Sequence, residues 1–417
     1  METVIVLFLN KKQHGKSEMR QGQMKRILYI HHGSISGGAP RSLYYLIKQL
    51  DRTIYKPYIV YQNEFTDGTF FQESGAETIY EPRIQPFHGS TVSGIDFIRV
   101  MRNFKHAIPT YKAAKAIISN IKPDIVHINS TCLFMCAKAA KSTKNNIRVV
   151  CHVREPLLEN IWGHILKIMC QKYCDLFIAI DEFDGRSVDP EMKKTTVVYN
   201  FVNFNEFNSN VKSDILRSEL KINVRDTIFL VLARVSEENG ILEIVKTWEK
   251  YKRYSGEHLV IVGEIPGKNE EYTNQCHKAG KGAKNIHFLP FRKDVPNVIA
   301  SADAILCPFL KPHFARMIIE GAAMGKPCIA ADIEGPKELV IDGQTGYLYK
   351  TNNELLTYIS VLSTDYDRRY IMGKKAEIFA RNNFNAEINA KKTFEVYEQL
   401  TMADFEHSSS EESRNCE

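Results

Sequence analysis

Ten short apolar runs, each of four to six residues, constrain this 417-residue chain more than any other feature of its sequence. Five fall in the first half, at 26–30, 58–61, 124–129, 148–153 and 176–180. Five more fall at 228–232, 258–262, 286–289, 304–307 and 327–331. Short runs rich in β-branched residues are what strands covered on both faces should look like. Longer amphipathic stretches, such as 41–50, 242–254 and 295–302, separate them, and that rhythm predicts a parallel α/β fold. A chain of this length exceeds one ordinary core. A polar segment around 200–223, with Asn203, Asn205, Asn208, Asn210 and Ser213, divides the two series. The expected organisation is a disordered lead at 1–23, α/β domains at 24–200 and 201–384, a last helix at 385–401, and a disordered acidic, serine-rich tail at 402–417. Two such domains place any ligand at the carboxyl ends of strands, facing a cleft.

Several function classes are set aside on composition. Hydrophobic residues make up 44% and charged residues 25%, the balance of a soluble globular protein. No apolar run approaches the roughly 20 residues that span a bilayer. An acidic flank and a short apolar run at 4–9 make a poor secretory signal, so a cytoplasmic location is expected. The nine cysteines contain no CxxC. Cys132 and Cys136, and Cys170 and Cys174, are spaced one helical turn apart, but neither pair has a partner with zinc spacing. Buried free thiols and no metal are therefore expected. A net charge of +6 is not a nucleic-acid signature. Between Asp96 and Lys122, however, Arg99, Arg102, Lys105, Lys112 and Lys115 are interleaved with Phe97, Ile98, Met101, Phe104 and Ile108. That stretch fits an anionic membrane surface, and equally a solvated helix covering the sheet.

Four motifs carry chemistry. The loop after the first run holds Gly33, Gly37 and Gly38, where backbone N–H groups can meet an anion. Its spacing is not that of dinucleotide binders, which removes the fingerprint of an NAD-dependent oxidoreductase. The Gly263–Lys268 segment is one residue short of a P-loop and has Asn269 where Ser or Thr would hold magnesium. His152, Arg154 and Glu155 end a strand, where they can bond a sugar hydroxyl or a phosphate. Arg234 leaves a strand toward a helix start, well placed for a diphosphate. Glu320 interrupts an otherwise apolar, small-residue helix, where an anionic side chain requires a partner. Its carboxylate suits the two hydroxyls of a ribose, and the run Phe314, Ala315, Arg316 ahead of it offers backbone N–H groups to phosphate.

Through these motifs the chain resembles the retaining GT-B glycosyltransferases, in particular glycosyltransferase family 4. The resemblance covers about residues 25–400 and is most specific between Phe314 and Pro327. It implies two Rossmann-like domains facing across a cleft, with a C-terminal helix crossing back to the first. Glu320 matches the family's second glutamate, and Arg234 its phosphate arginine. Gly37, Gly38 and His152 match the acceptor-side loop and histidine, and the segment containing Arg292 resembles the base-binding stretch. The family's first glutamate falls on Pro312 and its partner lysine on Asn239, so the cation burden is expected to fall on Arg234, helped by Arg316 or Arg292. The implied catalytic set is Arg234, Glu320 and His152. Donor contacts are implied for Gly38, Asn239, Arg292, Phe314, Ala315 and Arg316, and acceptor contacts for Gly37, Arg154 and Glu155.

The implied reaction moves a sugar from a nucleotide diphosphate, a UDP-sugar rather than a GDP-sugar, with retention and without a metal or cofactor. The acceptor is a saccharide or lipid-linked saccharide, as in surface polysaccharide assembly, with peripheral attachment to the inner membrane face through residues 96–122. A nucleotide-sugar 2-epimerase of the same fold and a non-catalytic sugar-nucleotide-binding partner remain as alternatives.

Overall fold

The computed structural model describes residues 24–33, 38–62, 67–91, 95–143, 146–250 and 256–414, with backbone alone at 67, 68 and 401–414. The expected 1–23 lead and Gly37 lie outside the described residues. The first domain is built on β1 (Lys25–Ile30), β2 (Tyr55–Tyr61), β3 (Glu77–Tyr80), β4 (Ile125–Ile128), β5 (Arg148–Val153), β6 (Leu176–Ala179) and β7 (Thr195–Val197). They form one sheet in the order β3-β2-β1-β4-β5-β6-β7. The second domain holds β8 (Thr227–Leu232), β9 (Glu257–Glu264), β10 (Ile286–Pro290), β11 (Ala304–Cys307), β12 (Cys328–Ala331) and β13 (Gly346–Tyr349), in the order β10-β9-β8-β11-β12-β13. Every pairing between these strands is parallel. Ile27 to Ile30 in β1 and Ile228 to Val231 in β8 have no solvent exposure, which accounts for their unbroken apolar character.

All ten sequence-predicted strands form. Three others, β3, β7 and β13, are each the last strand of a sheet. An edge strand has one neighbour and needs no continuous apolar run, so Glu77-Thr-Ile-Tyr80 and Thr195-Thr-Val197 left no such signal. Order reverses between β1 and β4 and between β8 and β11, and each reversal opens a crevice at the carboxyl ends of the strands.

The chain returns to the first domain at its end. Val202 N–H donates to Phe384 O at 2.8 Å, and helix Ala386–Arg414 then lays Ala390, Val396, Tyr397 and Leu400 into the core around Ile27, Tyr29 and Leu43. The helix runs past the expected boundary at 401, so 402–414 is helical backbone rather than the disordered segment expected there. Tyr397 is fully buried; its hydroxyl meets His127 Nδ1 at 2.6 Å and donates to the Tyr29 hydroxyl at 3.3 Å. Tyr397→Phe leaves His127 without that partner and is expected to lower the unfolding free energy by about 1–3 kcal/mol, read by urea denaturation.

Helix Phe97–Ile121 contains the basic stretch. Asp96 caps it, accepting from Arg99 N at 2.8 Å. Ala113, Ala114, Ile118 and Ile121 pack into the first domain's core. Toward its start, Phe97, Ile98, Met101, Phe104 and Ile108 are instead 54–78% exposed. No helix among the described residues is long and apolar enough to cross a membrane.

Candidate active site

Gly38 opens helix Gly38–Lys48 directly after the β1 loop. A Cβ there would stand 2.9 Å from Arg316 Cδ, so a larger residue at this point would push the Arg316 side chain aside. Arg316 begins helix Arg316–Ala323. Its Nε donates to Glu320 Oε1 at 3.2 Å and its Nη2 to Phe201 O at 3.3 Å, while its Nη1 is buried without a partner. Across from it, Arg154 leaves the end of β5. Arg154 Nε donates to Asn129 Oδ1 at 2.7 Å, Nη1 to Asn200 Oδ1 at 3.3 Å, and Nη2 contacts His152 Nδ1 at 3.3 Å. Burial, and then the facing Arg316 guanidinium, pull Arg154 down to about 9.

A cavity of about 180 Å³ between the domains is lined by Gly38, Arg154, Glu155, Asp184, His313 and Arg316, with Phe314 at its wall. Two guanidiniums brought together out of water repel each other, so the cavity suits a multivalent anion. Glu155 accepts from Ser90 Oγ at 2.9 Å and Ser130 Oγ at 3.4 Å, and burial raises its carboxyl above the usual range. His152 is brought beside Arg154 but not into this cavity. It lines a narrower pocket with Ser42, Asn200 and Thr393, and burial, then Arg154, holds its ring neutral.

In the second domain Glu320 is 7% exposed. Burial raises its carboxyl, and Arg316 opposes that shift. Arg234 is exposed at the end of β8, and its backbone carbonyl accepts from Asn239 Nδ2 at 2.8 Å. Asn239 thus shapes the Arg234 loop. The next residue, Gly240, has φ +65° and would bring a Cβ within 1.9 Å of Pro308 O, fixing this loop against β11. Ala315 is buried and immediately precedes the helix. Arg292 is not brought to the cavity: Asp294 accepts from it at 2.9 and 2.7 Å and Glu219 at 2.6 Å, which leaves its guanidinium occupied. A larger groove of about 640 Å³ elsewhere on the second domain contains none of these residues.

Three further carboxyls at the cleft escaped the sequence reading. Glu338 of the second domain accepts from Glu182 N of the first at 3.0 Å. Asp181 Oδ1 accepts from Asp184 N at 2.7 Å, while Asp181 Oδ2 and both Asp184 oxygens are buried without partners. Their position just past β6, at the carboxyl edge of the sheet, was the available signal. Burial, with a smaller contribution from Glu338, raises Asp181 from 3.8 to about 7. A carboxyl raised in the folded state holds its proton there after the unfolded chain has lost it, so stability falls as pH rises from about 4 to about 7. Asp181→Asn keeps the cap and removes the charge. It is expected to raise Tm at pH 7 more than at pH 4.5, read by calorimetry at both.

Comparison with known proteins follows the same division. The model described as Glycosyltransferase Family 4 matches residues 36–206, and that described as Glycosyl transferases group 1 matches residues 212–379. The chain is 25% identical over 382 residues to UDP-Gal:alpha-D-GlcNAc-diphosphoundecaprenol alpha-1,3-galactosyltransferase of Escherichia coli, covering 86% of this chain and 95% of that one. It is 26% identical over 175 residues to an uncharacterised glycosyltransferase of Methanocaldococcus jannaschii, spanning 40% of this chain and 44% of that relative's length. The crystal structure of Anabaena HepE in complex with UDP superposes with a TM-score of 0.75 at 19% identity, covering 90% of this chain and all of that one.

Proposed function

The chain belongs to glycosyltransferase family 4, of the two-domain GT-B type, and from that premise we propose that it moves a sugar from a UDP-sugar to a lipid-linked saccharide, with retention at the anomeric carbon and without a metal. The observation that carries this reading is the interdomain cavity where Arg154 of one domain and Arg316 of the other converge beside Gly38. In this reading Arg234 and Arg316 hold the diphosphate, aided by the N–H groups at the start of helix Arg316–Ala323 next to Phe314 and Ala315. Glu320 accepts the ribose hydroxyls. Arg154, Glu155 and Gly37 take the acceptor, and His152 acts through Arg154.

As the bond from the anomeric carbon to the diphosphate oxygen breaks, the acceptor oxygen forms the new glycosidic bond on the same face. The departing β-phosphate takes the acceptor's proton, and the guanidiniums stabilise the developing charge. The Asp365-Tyr366-Asp367 triplet, which could suggest a metal-bound diphosphate, caps a helix instead: Asp365 accepts from Arg368 N at 2.9 Å. The E. coli relative's UDP-galactose donor and diphosphoundecaprenol acceptor, and the UDP in HepE, support the donor and acceptor classes.

A thermal-shift panel of UDP- and GDP-sugars identifies the donor, because a bound ligand stabilises the fold by mass action. Transfer to a diphosphoundecaprenol-linked sugar in the presence of chelator, with the product anomer read by NMR, completes the test. The reading expects UDP-sugar stabilisation and an anomer like the donor's. An inverted product would contradict it, as would conversion of the UDP-sugar with no acceptor present, the mark of an epimerase.

The exposed apolar residues of helix Phe97–Ile121, flanked by Arg99, Arg102 and Lys105, support docking on an anionic membrane at the cytoplasmic face, in surface polysaccharide assembly. Neighbouring helix Ile161–Tyr173 extends the patch with Ile161 and Ile168, 68% and 48% exposed, and the rings of Phe104 and Trp162 meet at 6.1 Å. Phosphatidylglycerol vesicles are expected to cosediment the protein, less so in high salt. Phe97→Ser with Phe104→Ser should abolish cosedimentation while leaving Tm unchanged. Equal recovery with uncharged phosphatidylcholine vesicles would contradict the docking mode.

A further inference from the structure

Cys151 on β5, Cys170 on helix Ile161–Tyr173 and Cys174 at that helix's C-cap bring their three sulfurs within 4.8 Å of one another. The sequence spacing showed only a pair: Cys170 and Cys174 stand one turn apart on one helix face. The fold adds Cys151 from the sheet beneath. All three are buried in the first domain's core. Three sulfurs bound to one ion at about 2.3 Å must stand about 4 Å apart, and sulfurs all within 4.8 Å of one another need only a small inward shift to reach that spacing.

The cluster also differs chemically from the other described cysteines. Burial pushes Cys132, Cys136 and Cys276 up to about 12, and raises Cys307 and Cys328 as well. Burial alone would raise Cys174 too, but hydrogen bonds from Cys151 and Cys170 outweigh it and bring Cys174 down to about 5.

We propose that Cys151, Cys170 and Cys174 form a three-sulfur site for one thiophilic divalent cation, of the class of Zn(II) or Cd(II). Loading forms one metal–sulfur bond from each residue, and the thiol protons displaced from the three sulfurs pass to solvent. The complex keeps a single negative charge, whereas a monovalent ion such as Cu(I) would leave two, at greater cost in an apolar core. The site pins the end of helix Ile161–Tyr173 to the strand whose next residues are His152, Val153 and Arg154, so the ion would brace the strand that carries the acceptor-side arginine.

The test uses the full chain, freed of metal by chelator under reductant, and titrated with Cd(II) alone. Expected are one ion per chain, release of protons on loading, a sulfur-to-cadmium charge-transfer absorption and a rise in Tm. Binding is lost in Cys170→Ala and Cys174→Ala and kept in Cys307→Ala and Cys328→Ala. Should the cluster variants fail to fold, peptide mapping of iodoacetamide labelling in the unsubstituted protein decides, with cadmium expected to protect these three cysteines together. Absence of binding, protection of other cysteines, or an intact mass two hydrogens light from a disulfide within the cluster would overturn the site.

Discussion

Arg234→Ala is expected to lower kcat for sugar transfer by about 10²–10³-fold, or about 3–4 kcal/mol, the usual consequence of removing one preorganised donor aimed at developing charge. The structure separates the two halves of this residue. Its backbone is fixed, with the carbonyl held by Asn239 Nδ2 at 2.8 Å and neighbouring Val235 buried. Its guanidinium is exposed at the carboxyl end of β8 and makes no hydrogen bond among the described residues. Truncation therefore leaves the fold intact, with stability within about 0.5 kcal/mol of the unsubstituted protein. Arg234→Lys keeps the charge and loses the bidentate fork, so it should recover part of the rate. With Asn239 where the family has a lysine, no second cation in this loop can compensate. A kcat within about threefold of the unsubstituted enzyme would remove Arg234 from the mechanism.

Glu320→Gln is expected to separate binding from stability. The carboxyl is nearly sealed from solvent and accepts from Arg316 Nε at 3.2 Å, with the Arg41 guanidinium adding a smaller attraction. Burial still raises it, which means the folded state pays to keep it ionised at neutral pH. Glutamine keeps the volume and an acceptor for Arg316 while removing that penalty, so Tm at pH 7 should hold or rise. A carboxylate bridging two ribose hydroxyls contributes hydrogen bonds to a charged group, each worth about 1.5–3 kcal/mol. UDP affinity should therefore fall by about 10- to 100-fold, read by calorimetric titration. Unchanged affinity together with a lower Tm would make Glu320 a structural partner of Arg316 and nothing more.

The two-domain division and nine interior strands were legible because a strand covered on both faces must be apolar throughout. Of the four edge strands only β10 kept an apolar run; β3, β7 and β13 did not, since one open side frees an edge strand from that demand. At the site, Gly38, Arg154, Glu155, Phe314 and Arg316 line one cavity, each marked in sequence by its place at a strand end or helix start, and Glu320, inside its helix, meets Arg316. Arg292 did not, because a nearby Asp294 and a distant Glu219 claim its guanidinium, and no spacing rule reveals a partner 73 residues away. His152 and Asn239 keep their neighbourhoods but turn to protein partners. Asp181, Asp184 and Glu338 were missed because their significance lies in burial between domains, which sequence does not encode locally. The cysteine cluster was half visible as a helical pair; its third member stands on a strand.

The central claim is that one cleft grips a nucleotide diphosphate between the two domains, and a crystal structure with an unreacted UDP-sugar addresses it most directly. The account predicts phosphate oxygens within about 3 Å of Arg234 and Arg316, ribose hydroxyls on Glu320, and the sugar toward Gly38 and Arg154. A nucleotide seated in the second domain's other groove, or bound with Glu320 still facing Arg316 alone, would contradict it.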